Sequence, residues 1–299
     1  MEYYKMMPIR INYSTIIVLL ASLLILITVP FVQKPIFADN SRVYFKFLQE
    51  KLVKEGFDKG LIVDLYNRSE VYFDFKGVSQ YFVHREANLN YDQFTSGSSI
   101  KKAKTYMGKY NTELSTAEKI YGVDKKIITA IILVETRLGK VMGNRSVLNT
   151  LSTLASLSDL NIREIVWDKN SKSCSFTRKE FNKWSKRKSK WAYAELKAFL
   201  KYVNREGIDS ACIHGSFAGA LGIAQFMPSS ILAFAKDGNG DGIVDLFNHV
   251  DAIISIASYL SYYGWHPGID RKNACKVIYH YNHSNYYVDT ILKISELLT

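Results

Sequence analysis

The residues best equipped for chemistry lie at 127–139, IITAIILVETRLG, where one carboxylate, Glu135, interrupts a run of branched apolar residues. At helical spacing Ile128, Ile131 and Ile132 stand seven, four and three residues before it, so the carboxyl shares their apolar stripe. Burial against hydrocarbon disfavours the ionised form and raises a carboxyl's pKa. An acid that keeps its proton near neutral pH can protonate a poor leaving group. The plainer alternative puts Glu135 at the edge of the stripe, where it reaches water or an arginine. Asp124 is placed to cap this helix and Gly139 offers its stop.

Two further stretches stand out. Residues 215–230, GSFAGALGIAQFMPSS, crowd glycines and alanines together, which permits close backbone approach. Gln225 is the lone polar residue in the apolar part that follows. Its amide donates and accepts at once, which suits an acetamido or hydroxyl group of a sugar. Pro228 is placed to start a helix, and a tight helix crossing would produce similar composition. Next, Asp237, Asn239, Asp241 and Asp245 fall at positions one, three, five and nine of a loop with Gly242 at six and Ile243 at seven. That is the spacing of an EF-hand calcium loop. The glutamate expected at position twelve is replaced by Asn248, and Asp251, three residues on, could close a lengthened sphere. An Asp- and Gly-rich turn is the alternative.

The chain that must position these residues has 299 of them, 47% hydrophobic, which describes a globular protein with ample core. A net charge of +11 and a pI of about 9.3 favour an anionic partner: nucleic acid, anionic lipid or an acidic wall polymer. Cys174, Cys212 and Cys275 have no CxxC spacing and no nearby histidine pair, which argues against zinc. One disulfide with one free thiol is open, and the pairing is not set by the sequence. Lys5 and Arg10 precede the apolar run 16–29, and Ala38 offers a small residue for cleavage, so residues 1–38 read as a signal peptide or an uncleaved anchor. No cysteine follows the apolar run, which excludes a lipoprotein anchor. The rest of the chain is then expected outside the cytoplasm, and nucleic acid falls away as a partner.

Residues 39–120 are expected to be helical. Phe45, Leu48 and Leu52 are spaced for one helix, Asp58 caps the next, residues 95–99 make a small-residue loop, and residues 100–121 form one long helix. Residues 146–157 and 192–203 read as further helices. Between them, residues 161–190 are basic and polar with Trp167 and Trp184 interleaved, Trp191 following; Lys186, Arg187, Lys188 and Lys190 are the densest cluster. Aromatics among cations suit a polyanionic wall or stacked sugar rings as well as single-stranded nucleic acid, and a solvated helix face is the bland reading. The six histidines form no persuasive nucleophile–base arrangement.

In order and spacing these stretches resemble the lytic murein transglycosylases of the membrane-bound type B kind. The resemblance rests on Tyr121-Gly122-Val123, on Val134-Glu135-Thr136 with Gly139, on residues 148–154 (LNTLSTL) and on residues 215–230. It rests also on the Asp-rich loop leading to Val250-Asp251-Ala252-Ile253, and on Tyr281-Asn282 with Ser284, Tyr287-Val288 and Ile291-Leu292. It implies a mainly α (α+β) fold: a lysozyme-like catalytic core over 121–299, a helical part over 39–120 packed on it, and a small β-ribbon. A divergent insert covers about 159–190 and the calcium-type loop 237–251. The implied activity is cleavage of the MurNAc–GlcNAc β-1,4 bond of peptidoglycan without water, leaving 1,6-anhydromuramoyl ends, with Glu135 as acid and then base. Ser216, Gln225, Tyr259, Tyr281, Asn282 and Tyr287 would line the glycan groove. Asp237, Asn239, Asp241, the Ile243 carbonyl and Asp251 would hold a structural calcium ion, and no organic cofactor is implied. A hydrolytic muramidase and a non-catalytic peptidoglycan-binding scaffold are the alternatives. The expected setting is the periplasm or cell envelope, with glycan strands as partner, the membrane touched only through an uncleaved N-terminal segment, and the protein a monomer.

Overall fold

In the computed structural model, residues 38–78, 90–170 and 176–299 are described. The signal or anchor reading of 1–37 and Cys174 lie outside them. Helix α1 (Ala38–Lys54) buries Phe45, Leu48 and Leu52 as their spacing requires. It stops before Asp58, whose carboxylate accepts from Leu61 N at 2.8 Å and opens α2 (Lys59–Tyr66).

After α3 (Asp92–Thr95) come α4 (Gly97–Lys109) and α5 (Asn111–Tyr121), where one helix was expected. The helix starts earlier than expected because Ser96 caps it, accepting from Ser99 N. It divides at Tyr110, whose φ of −110° and ψ of 30° leave the helical region and whose ring stacks on His249 at 4.7 Å. Asp124 caps α6 (Lys125–Thr136), accepting from Lys126 N at 2.7 Å. Ser146 then caps α7 (Val147–Ser156). Every residue of α7 is buried, and its hydroxyls find partners: Ser152 Oγ meets the Tyr66 hydroxyl at 2.7 Å and Thr153 Oγ1 accepts from Asp74 N at 2.9 Å.

Within the basic region the described residues form α8 (Leu160–Asn170) and the first half of α9 (Arg178–Glu206). Helix α9 begins well before the expected 192 because Thr177 and Glu180 form a reciprocal capping box. Beyond it β2 (His214–Gly215) pairs antiparallel with β1 (Arg145–Ser146), Arg145 opposite Gly215. Gly143 makes that ribbon possible: at φ 90°, a Cβ there would fall 2.0 Å from Gly215 O. Helices α10 (Pro228–Phe234), α11 (His249–Tyr262), α12 (Arg271–Tyr281) and α13 (Asn285–Leu297) complete the order.

Helix α6 lies at the centre, packed against α4, α5, α11 and α13, with Ile128, Ile131 and Ile132 fully buried. Among the described residues Cys212 and Cys275 are free thiols, and no helix is long and apolar enough to cross a membrane.

His249 is a pH-sensitive joint in this packing. Its Nδ1 lies 3.0 Å from the Tyr106 hydroxyl, and burial, with Lys109 nearby, holds its pKa below the ordinary histidine value. Burial pushes the Tyr106 pKa well up, so that hydroxyl keeps its proton and donates to a neutral imidazole. A depressed histidine pKa means that the unfolded chain binds the proton first, so stability is present above the unfolded histidine pKa and lost as pH falls below it. The melting temperature is expected to fall between pH 7.5 and pH 5, and to fall less in His249→Phe, as followed by thermal denaturation at both pH values.

Candidate active site

The end of α6 sets the site. The sequence points to a stop at Gly139, yet the helix ends three residues earlier, at Thr136. Arg137, Leu138 and Gly139 then take φ of 51°, 63° and 82°, a left-handed run in which two residues carry a Cβ. Such conformations persist only where their surroundings over-determine them. Here Leu138 N donates to Ile132 O at 3.1 Å, and Lys140 N and Val141 N both donate to Thr136 O. The buried Thr136 hydroxyl completes the knot. It accepts from Gly139 N at 3.0 Å and lies 3.2 Å from Ile223 O, which ties the helix end to the glycine-rich block.

Glu135, the last residue but one of α6, is half-buried. Two tyrosines lie against it. Tyr287 of α13 is buried, its hydroxyl lies near the Glu135 carboxylate without a hydrogen bond among the described residues, and burial and that charge push its pKa well up. Burial and the same charge act alike on Tyr281 of α12, whose hydroxyl donates to Ala224 O at 2.6 Å. The Tyr281 and Tyr287 rings lie parallel within 7°, centroids 6.4 Å apart. Tyr259 meets Tyr281 edge-on at 5.0 Å, and its hydroxyl donates to His280 O at 2.7 Å. Phe226 packs on both Tyr259 and Tyr281, at 5.5 and 5.8 Å.

The glycine-rich block folds as a chain of tight turns. Ser216 N donates to Ala220 O, while Ser216 Oγ accepts from Ala218 N and Ala220 N, leaving its own hydrogen to donate outward. Gln225 adopts φ 49°, and its Nε2 donates to Met142 O and Gly222 O. The expectation that Gln225 both donates and accepts is therefore narrowed: both amide hydrogens hold backbone, and the carbonyl oxygen remains to accept. Gln225, Phe226, Met227, Ser230, Tyr259 and Tyr281 line a cleft of about 70 Å³. Of the residues singled out in the sequence, Gln225, Tyr259 and Tyr281 meet at this cleft, with Glu135 and Tyr287 beside Tyr281. Ser216 holds its own turn, and Asn282 caps α12, its side chain outside the described hydrogen bonds.

The acidic loop sits apart. Asp237 accepts from Gly240 N and Gly242 N, which hold its carboxyl below the usual range. Asn239 Oδ1 accepts from Asp241 N, and Asp241 Oδ1 from Ile243 N. Asp251 is fully buried beneath the loop, its two oxygens taking Gly238 N and Asp245 N. Asp245 turns away to Phe247 N. Among the described residues no three acidic, histidine or cysteine side chains converge as a metal site, and these carboxylates accept from backbone N–H groups. The donor set itself is all oxygen, with spare lone pairs on each carboxylate, and its chemistry fits a hard cation such as calcium.

Sequence reading quoted Thr136 and Phe226 only within motifs, next to residues it singled out, and gave them no role; Tyr91 it missed. Tyr91 bears on the Tyr287 hydroxyl only because α3 packs on α13, which no local pattern announces.

The family described as Transglycosylase SLT domain matches residues 41–272. The membrane-bound lytic murein transglycosylase B of Escherichia coli (strain K12) is 35% identical over 176 residues, 59% of this chain and 41% of that protein. The chain thus spans about two fifths of the length of this curated relative. Among solved structures, the Escherichia coli lytic transglycosylase SLT35 in complex with calcium superposes with a TM-score of 0.66 at 23% identity, covering 87% of this chain and 93% of that one. SltB3 from Pseudomonas aeruginosa, in complex with NAG-anhNAM-pentapeptide, gives 0.66 at 19% identity, covering 86% and 78%. These likenesses establish the mainly helical, lysozyme-like fold with its small ribbon.

Removing the Thr136 hydroxyl should leave Gly139 N without its acceptor. Thr136→Val is expected to lose about 1–3 kcal/mol in denaturant unfolding, while Thr136→Ser stays near the parent.

Proposed function

The chain belongs to the transglycosylase SLT domain family, and from that premise we propose that it is a lytic transglycosylase of the cell wall. It cleaves the MurNAc–GlcNAc β-1,4 bond of peptidoglycan and leaves 1,6-anhydromuramoyl ends. The observation that carries this is a single half-buried carboxylate, Glu135, beside an aromatic cleft whose own lining holds no carboxylate. Hydrolytic glycosidases work with a pair of carboxylates, one of them set to activate water or to form a glycosyl intermediate.

In this reading Glu135 donates its proton to the glycosidic oxygen as the C1–O bond breaks. The muramoyl acetamido oxygen stabilises the positive charge that develops at C1. The Glu135 carboxylate then takes the proton of the C6 hydroxyl while that oxygen bonds to C1. The proton count closes and no water enters. Tyr287 packs its buried ring beside the carboxyl; Tyr281 and Tyr259 offer apolar faces to a sugar ring. The Gln225 carbonyl accepts from a hydroxyl or acetamido N–H, and Ser216 and Asn282 extend the groove. By this reading the part over 39–120 props the core over 121–299, the protein works in the cell envelope, and glycan strands are its partner.

Calcium is the finer part. A relative's structure holds it, and the oxygen donors of Asp237, Asn239, Asp241, the Ile243 carbonyl and Asp251 would hold it here. The ion would add charge that pins the loop. It has no part in the proton transfers.

Two measurements test these readings. Glu135→Gln keeps the shape and loses the proton, so release of soluble fragments from sacculi should fall at least about a hundredfold while sedimentation with sacculi is retained. Unchanged release would remove the catalytic assignment. A chelator should lower the melting temperature, since a ligand at about 100 times its Kd stabilises by about 2.7 kcal/mol. In Asp241→Ala the chelator should do nothing, and a parent melt indifferent to chelator would remove the metal.

A further inference from the structure

We propose that Lys179, Lys183, Lys186 and Lys190 on α9 form a docking track for a linear phosphodiester polyanion of the cell envelope, separate from the glycan cleft. Their spacing of four, three and four residues places them in single file on one helix face. At 1.5 Å per residue the track is about 16 Å long, with charges about 5–6 Å apart along the axis. All four side chains are exposed, while Phe181, Trp184, Ser185 and Ser189 on the opposite face are buried.

Among the described residues these cations have no ion-pair partner. The ion pairs of α9 among those residues are Arg178–Glu164, Lys197–Glu55 and Arg205–Glu206, and none involves the four lysines. Glu180, the acid nearest in sequence, is held in the capping box by Thr177. The adjacent Lys188 lies 4.5 Å from the Trp191 ring centroid and is disfavoured as a cation by burial and by Arg187. Positive charge is therefore concentrated along one exposed helix face.

The arrangement selects the partner. Helix α8, packed on α9, carries Asp168 exposed, while its Glu164 is paired with Arg178. A narrow chain lying along the single file engages all four lysines, whereas a broad anionic surface such as a bilayer would also have to accommodate the α8 acid. Lysine binds phosphate as a point charge without the fixed fork that arginine imposes, which suits a flexible polymer with no set register. The lysines repel one another at these spacings, and a bound polyanion relieves that repulsion.

The test uses the full chain, poly(glycerol phosphate) as probe, and the variant Lys179→Gln/Lys183→Gln/Lys186→Gln/Lys190→Gln. With four phosphates engaged at a salt slope of about −0.7 each, parent affinity should fall about 50-fold between about 50 and 200 mM salt. The variant should bind at least tenfold more weakly at the lower salt and lose most of that slope. Its melting temperature and its turnover of soluble glycan strands should match the parent, which keeps this proposal separable from the catalytic one. Polymer binding equal to the parent's would overturn the proposal. So would a variant whose binding to phosphatidylglycerol vesicles suffers more than its binding to the polymer, since the face would then be a lipid contact. A variant that also fails on soluble strands would assign the lysines to the glycan groove and overturn it too.

Discussion

One buried hydroxyl, that of Thr136, joins the end of α6, the left-handed run 137–139 and the glycine-rich block through Gly139 N and Ile223 O. The acid next to it keeps its place beside Tyr281 and Tyr287 because the helix end that carries it is tied to a second segment. The same knot explains why a threonine follows the glutamate: a hydroxyl is the smallest group that both accepts from one segment and donates to another. Serine would do this too, at the cost of the methyl that fills the buried site.

Around that fixed point the aromatic residues do two things at once. Tyr259, Tyr281 and Tyr287 bury large apolar faces; the Tyr259 and Tyr281 hydroxyls donate to His280 O and Ala224 O, and that of Tyr287 lies near Glu135. Burial and the Glu135 charge keep the Tyr281 and Tyr287 hydroxyls protonated, so neither is a competing base. Asp251 plays the matching part at the rear, where its two oxygens hold Gly238 and Asp245 and fix the loop that follows α10. Ile223 N bonds Leu246 O, so loop and cleft share a strand of backbone.

Much of this was legible in the sequence, for stated reasons. The helical stripe of Ile128, Ile131 and Ile132 announced α6 because a 3.6-residue period has one buried solution, and Asp58 and Asp124 marked starts because a side-chain oxygen must meet free N–H groups. Pro228 opened α10 as its fixed φ requires. What failed were stops and breaks. Gly139 looked like the end of α6, but a tertiary bond from Thr136 ended it sooner. Tyr110 splits α4 from α5 because it stacks on His249, a contact 139 residues away in the chain. The basic segment read in the sequence as a polyanion or sugar surface or a solvated helix face, and the capping box at Thr177 starts a helix there, with one face buried. The loop at 237–251 showed its oxygen donors in the sequence, while the backbone N–H groups that occupy them could be found only in three dimensions.

The central claim is that Glu135 closes the sugar on itself with no water entering. Digesting sacculi in heavy-oxygen water and weighing the muramoyl ends tests it directly. Anhydro ends free of the label are the predicted result. Reducing ends carrying one heavy oxygen each would contradict it, and would mean that water, not the C6 hydroxyl, attacks C1.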